Sequence, residues 1–141
     1  MISTEERAPT TTIEPAAPPE TRTWLAERIS GDVALMMGAA WYVLLMISIG
    51  LEPPASGPEP AWTIGLSFAF LAALAVTAGG LLARRRWGLL ASVGGAGMLT
   101  AFSVACPVSG HHGFGAWWFG QMACALLLVA ASAFALARAR A

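Results

Sequence analysis

The chain has 141 residues, of which 57% are hydrophobic and only 11% are charged, with eight basic and eight acidic side chains. Ordinary soluble domains carry about 25% charged residues, so this composition excludes that class and indicates a protein whose main solvent is lipid. All eight basic residues are arginines dispersed along the chain, which excludes the concentrated basic surface that nucleic-acid binding requires.

The first segment, residues 1–22, is rich in Pro, Thr and Glu and contains few large apolar side chains. Such a segment buries too little apolar surface to offset the conformational entropy lost on folding. We therefore predict a disordered cytoplasmic tail. The short segment 23–29 is predicted either to lie on the membrane surface as one or two amphipathic turns or to be a solvated linker.

Four long apolar stretches follow the tail, and each is predicted to form a transmembrane helix: about 33–50, 61–83, 87–105 and 117–137. At about 1.5 Å per residue, the first stretch reaches roughly 27 Å, close to the ~30 Å hydrocarbon core of a bilayer. Ser30 and Asp32 suit the start of this helix, because their side chains accept hydrogen bonds from its first backbone amides. Residues 23–141 are therefore predicted to form one all-α integral membrane four-helix bundle.

The arginine triplet Arg84, Arg85 and Arg86 separates the second and third stretches. A single helix through both would run about 67 Å, more than twice the thickness of the hydrocarbon core. Each arginine at the bilayer centre opposes insertion by about 2.5 to 3.5 kcal/mol. The triplet is therefore predicted to form a turn at the membrane surface and to determine the topology.

The remaining arginines lie on the same predicted side of the membrane as the triplet. Arg7, Arg22 and Arg28 precede the first stretch, and Arg138 and Arg140 close the chain after the fourth; the other two connections carry none. Short cytoplasmic loops accumulate Arg and Lys, which predicts a multi-pass protein of the cytoplasmic membrane with both termini in the cytoplasm. The exclusive use of Arg, with abundant Ala and Gly, is typical of a GC-rich bacterial genome.

Small residues recur at every fourth position of the third stretch, at Gly88, Ser92, Ala96 and Thr100. Helices in lipid associate largely through such close-packing surfaces, because apolar burial gives them little net attraction. This ridge is predicted to pack a neighbouring helix of the same chain, and a dimer face is the alternative.

Both cysteines and both histidines fall between positions 106 and 124. Cys106, His111, His112, Met122 and Cys124 are candidate ligands for copper, zinc or haem, because imidazole, thiolate and thioether groups bind these metals. The adjacent histidines match no established ligand spacing. The alternatives are a polar loop in which imidazole donates to carbonyls or headgroups, and a pH sensor.

A disulfide between the two cysteines is not expected. Cys106 is predicted at the surface end of the third span and Cys124 two turns inside the fourth, a depth difference of roughly 7 to 12 Å. The Cα atoms of a disulfide are rarely more than about 7 Å apart. The four-span topology resembles that of four-helix thiol oxidoreductases, but the chain lacks a Cys-x-x-Cys motif, so their activity is not expected.

The predicted spans contain no carboxylate, histidine or basic side chain at membrane depth, which argues against an ion-coupled transporter. No phosphate-binding loop or activated nucleophile is evident either. We therefore predict a non-enzymatic accessory or interaction subunit of a bacterial membrane complex, in contact with lipid and with other membrane subunits or a second copy. The alternatives are a metal- or haem-binding redox protein using the Cys/His region, and an oligomeric channel or neutral-solute carrier.

Overall fold

The computed structural model describes residues 24–54, 61–110 and 112–139, and the predicted tail lies outside these ranges. A 3₁₀ turn, Trp24–Ala26, precedes four helices: α1 Gly31–Leu51, α2 Ala61–Leu82, α3 Arg86–Val108 and α4 Ala116–Arg138. Each helix is long and apolar enough to cross a membrane, and no strand occurs in the described ranges. The prediction of an all-helical protein with four apolar spans is confirmed.

Large apolar side chains cover the outside of the bundle. Leu35 is 74% exposed, Phe68 69% and Leu82 85%, and many others are similarly uncovered. A soluble monomer rarely exposes apolar patches larger than a few hundred Å². The exterior therefore indicates a multi-pass membrane protein, in which lipid rather than water surrounds these side chains.

The helices begin and end within three residues of the predicted spans. The hydroxyl of Ser30 caps α1 by accepting a hydrogen bond from the Val33 amide at 3.3 Å. The largest difference is at the end of α3, which continues through Pro107 to Val108. Proline has no amide hydrogen to donate to the carbonyl four residues earlier, and here the indole of Trp118 donates to that carbonyl, on Ser103, at 2.7 Å.

The interior is built on α3 and α4. Four side chains in these two helices are completely buried hydrophobics: Leu89, Ala96, Ala125 and Leu128. The helices neighbour one another in the order α1, α4, α3, α2, and α1 and α2 make much less contact than the other neighbouring pairs. The seam between α1 and α2 is consequently the loosest part of the bundle.

The small-residue ridge of α3 faces other helices of the same chain. Gly88 lies against Gly80 of α2 so closely that a Cβ on either glycine would overlap the backbone of the other helix. Ser92 and Ala96 are fully buried. Thr100 is half-buried, and its hydroxyl donates to the carbonyl of Ala96 at 2.9 Å.

The arginine triplet lies at one end of the bundle, where α2 turns into α3. Arg84 adopts a left-handed conformation with a φ of 53°. Its amide donates to the carbonyl of Leu81 at 3.0 Å, and that of Arg85 donates to Gly80 at 2.9 Å. These two bonds form the Schellman cap that ends many helices. Arg84 and Arg85 therefore lie in the turn, whereas Arg86 is the first residue of α3.

The segment preceding α1 packs on this turn. The Ile29 amide donates to the carbonyl of Arg84 at 2.8 Å, and the Arg86 amide donates to the carbonyl of Glu27 at 3.1 Å. The side chains of Arg86 and Glu27 also form an ion pair at 2.5 Å, and Arg86 lies 5.6 Å from the ring centre of Trp24. The segment is thus docked by backbone and side-chain contacts, unlike a solvated linker.

Candidate functional site: the groove between the first two helices

The seam between α1 and α2 is open because these two helices make little contact with each other. No residue between positions 61 and 76 is buried, and the buried residues of α2, Thr77, Gly80 and Leu81, all lie near its end. We call the end of the bundle with residues 24–30, 83–86 and 138–139 the arginine end. The opposite end, with residues 51–54, 109–110 and 112–115, is the loop end.

Near the arginine end, the seam forms a shallow groove of about 610 Å³, the arginine-end groove. Its lining consists of small or apolar residues and one arginine: Gly31, Ala34, Leu35, Gly38, Ala39, Tyr42, Ala78, Leu81, Leu82 and Arg84. A Cβ on Gly38 would have no atom within 4 Å. Tyr42 is 69% exposed at the end of the groove, and its hydroxyl forms no hydrogen bond with a described residue.

Towards the loop end, the seam deepens into a cavity of about 440 Å³ that reaches α3 and α4, the loop-end cavity. Its walls are mainly apolar: Leu45, Ile49, Phe70, Leu71, Leu74, Leu99 and Phe102. Its polar lining residues are Ser48, Glu52, Thr63, Ser67, Cys106 and Gln121. The rings of Phe70 and Phe102 meet edge to face with their centres 5.8 Å apart, which joins the α2 and α3 walls.

Two buried residues contribute polar side chains to the lining of the loop-end cavity. Gln121 is 8% exposed and Ser48 is 1% exposed, and both line the cavity. Neither forms a hydrogen bond with a described residue. Buried polar groups in proteins are nearly always hydrogen-bonded, so these two side chains make the cavity a candidate binding site.

A chain of hydrogen bonds lies behind the groove and connects three helices. The indole of Trp41 in α1 donates to the hydroxyl of Ser92 in α3 at 2.7 Å. The hydroxyls of Ser92 and Ser132 in α4 are also 2.7 Å apart. Trp41 lies in the middle of α1 and is 6% exposed, so its indole packs against neighbouring helices.

His112 links the connection between α3 and α4 to the end of α1. Its Nε2 lies 3.2 Å from a carboxylate oxygen of Glu52, and its side chain is 3% exposed, compared with 40% for Glu52. The imidazole also meets Trp117 edge to face with ring centres 5.7 Å apart. This contact holds the rim of the loop-end cavity, because Glu52 lines it.

The candidate metal ligands do not all lie at the same place in the fold. Cys106 is half-buried and lines the loop-end cavity, whereas Met122 and Cys124 in α4 are not among its described lining residues. Both cysteines are free thiols, and His111 lies outside the described residues. Among the described residues, no group of three or more His, Cys, Asp or Glu side chains is placed to hold a metal.

Residue types alone did not identify the cavity residues Ser48, Glu52 and Gln121 as one set. The available signal was weak: Gln121 carries the only side-chain amide in the chain. A side-chain amide inside an apolar helix usually points to the protein interior or a cavity, but it does not say which helices complete that cavity.

Comparisons with protein-family models, with curated proteins and with solved structures find no match to this chain.

Proposed function

We propose that this chain is a non-enzymatic accessory protein of a bacterial cytoplasmic membrane, and that its arginine-end groove binds a transmembrane helix of a partner subunit. The observation that carries the proposal is the open groove between α1 and α2, in a bundle whose other neighbouring helices are closely packed. The arginines at one end of the bundle support a cytoplasmic location for that end.

The lining of the groove suits a helix better than a small solute. Small side chains let helix backbones approach closely in lipid, and Gly31, Ala34, Gly38 and Ala78 all line this groove. From Gly31 to Tyr42 the groove runs about 16 Å, or three helical turns. This length corresponds to about half of a membrane span.

Tyr42 supplies a second reason for a protein partner. Its hydroxyl is exposed without a described partner near the middle of α1. A hydroxyl in hydrocarbon without a hydrogen bond is unfavourable by several kcal/mol. A polar side chain or backbone carbonyl of a docked helix would satisfy it, whereas a lipid tail would not.

The redox or metal-handling alternative has less support. Three ligands do not converge among the described residues, so that reading depends on His111 and stays a prediction. A neutral-solute role is favoured by one specific observation, the loop-end cavity, which is considered separately below.

Photo-crosslinking in cells tests the docked helix. A photoreactive phenylalanine analogue at Leu35, in the groove, is expected to give one adduct of defined mass with a different membrane protein. The same analogue at Leu127, 57% exposed on α4, is the control and should give no such adduct.

The matched pair Gly38→Leu and Gly97→Leu makes the test specific, because a Cβ at either position would meet no atom within 4 Å. Filling the groove at Gly38 should reduce the Leu35 adduct about tenfold, equivalent to about 1.4 kcal/mol of binding free energy. Gly97→Leu should leave it unchanged. An adduct only with a second copy of this chain, or purification solely as a monomer in mild detergent, would contradict the proposal.

A further inference from the structure

We infer that the loop-end cavity binds one neutral amphiphile from the membrane, whose hydroxyl head lies between the Gln121 amide and the Ser48 hydroxyl. This inference does not depend on the partner helix proposed above, because the cavity and the arginine-end groove have no lining residue in common.

The size and walls of the cavity fit part of a small amphiphile. Its volume of about 440 Å³ falls within the range of about 300 to 1,000 Å³ that is usual for small-molecule sites. Phe70, Leu74, Leu99 and Phe102 provide an apolar surface for a hydrocarbon chain. If only water filled the cavity, these apolar walls would remain in unfavourable contact with it.

The head group is defined by the two buried polar side chains. A buried amide or hydroxyl without a hydrogen bond costs roughly 2 to 7 kcal/mol, depending on the reference state. The Gln121 amide offers two N–H donors and a carbonyl acceptor, and the Ser48 hydroxyl can donate and accept. An alcohol, which also donates and accepts, can satisfy both side chains at once.

The charge of the lining selects for a neutral head. No arginine or histidine is among the described lining residues, so an anionic head such as a carboxylate or phosphate would lack a counter-charge. Glu52 is the only carboxylate among the described lining residues, and it lies 3.2 Å from His112. A cationic head would therefore have to compete with that contact.

The route into the cavity is lateral. The part of α2 that borders the cavity lies within residues 61–76, none of which is buried. Ser67 and Leu71 both line the cavity and are exposed. A molecule dissolved in the bilayer can thus reach Gln121 between α1 and α2 without passing through water.

Cys106 provides a built-in reporter of occupancy, because its thiol lines the same cavity. The full chain carrying Cys124→Ala, which leaves Cys106 as the sole thiol, would be placed in phosphatidylcholine nanodiscs and alkylated with N-ethylmaleimide. Saturating 1-decanol should slow alkylation at least fivefold. Decane, with the same chain and no head, and decanoate, with a charged head, should not.

Variants separate binding from a general effect of decanol on the bilayer. Gln121→Leu should raise the half-protecting decanol concentration at least tenfold, and Ser48→Ala should raise it by a smaller factor. Thr100→Val is the control, because the Thr100 hydroxyl bonds to its own helix and does not line the cavity. If Gln121→Leu fails to fold, as judged by its thermal transition, the half-protecting decanol concentration of Ser48→Ala tests the inference instead.

Three results would overturn the inference: equal protection by decane and decanol, equal protection of the parent and both cavity variants, or no protection by any probe. Gly38→Leu should leave the protection of Cys106 intact. Loss of the partner adduct and loss of decanol binding are therefore separable results.

Discussion

A single proline explains a contact between α3 and α4 at the residue scale. Pro107 cannot donate to the carbonyl of Ser103, and Ser103 is 1% exposed, so solvent cannot satisfy that carbonyl. Trp118 donates to it from α4 at 2.7 Å. The side chain therefore replaces a helical hydrogen bond, which is why α3 can continue to Val108.

Removing the Trp118 indole should lower the stability of the protein by an amount that depends on Pro107. Trp118→Phe is expected to lower the free energy of unfolding by about 1 to 3 kcal/mol, because it leaves a buried carbonyl unpaired. In a Pro107→Ala background the new amide can bond to Ser103, and the same substitution should cost about 1 kcal/mol less. Reversible unfolding in mixed micelles measures both.

Trp117→Phe is the control for loss of an indole, since Trp117 donates to the carbonyl of Gly113 in an exposed bond. It should cost less than Trp118→Phe. An equal cost of Trp118→Phe with and without Pro107 would show that the indole does not compensate for the proline.

At the element scale, the crossing of α2 and α3 requires two glycines. A Cβ on Gly80 would overlap the backbone of Gly88, and a backbone, unlike a flexible side chain, cannot move aside without displacing its helix. In lipid, such close approach supplies much of the attraction between helices. The crossing also positions α3 and the turn at the arginine end relative to α2.

Gly80→Ala should therefore destabilise the bundle. The expected loss is about 2 to 3 kcal/mol, towards the upper end of the usual cost of overpacking, measured by unfolding in mixed micelles. Gly79→Ala is a control at the adjacent position, because its Cβ would meet only the ring of Trp87 at 3.9 Å. Gly79→Ala should be neutral or slightly stabilising, since alanine favours helix over glycine by about 1 kcal/mol. Similar losses for the two variants would contradict this account of the crossing.

At the scale of the whole molecule, the distribution of charge distinguishes the two ends of the bundle. The arginine end carries Arg28, Arg84, Arg85 and Arg86 together with Arg138, whereas the described residues of the loop end carry no arginine. Short connections on the cytoplasmic side of a membrane are enriched in arginine. The arginine end is accordingly expected to face the cytoplasm.

Cysteine labelling tests that orientation. In a background with Cys106→Ala and Cys124→Ala, a membrane-impermeant maleimide should label Ser109→Cys in intact cells, because this exposed residue lies at the loop end. Leu25→Cys, 39% exposed at the arginine end, should be labelled only after lysis. The reverse pattern would place the arginines outside and invert the topology.

The residue types in the sequence identified only part of the candidate site. Cys106 and His112 were predicted as possible metal ligands. In the fold, Cys106 lines the loop-end cavity and His112 pairs with Glu52. Nothing in the local sequence distinguishes Glu52, because its partner His112 is distant in the chain. The role of Gln121 depends on a gap between α1 and α2, which is a property of packing rather than of any one segment.

The number and limits of the spans followed from the sequence alone, because hydropathy, helix length and the free energy of burying arginine are local properties that need no knowledge of neighbouring helices. Which faces meet was decided only by the tertiary structure. Apolar residues surround each helix on nearly all sides, so periodicity does not mark the buried face. The close approach at Gly80 and the cavity beside Gln121 arise instead from how the four helices fit together, because packing and hydrogen bonds between helices select those contacts in lipid.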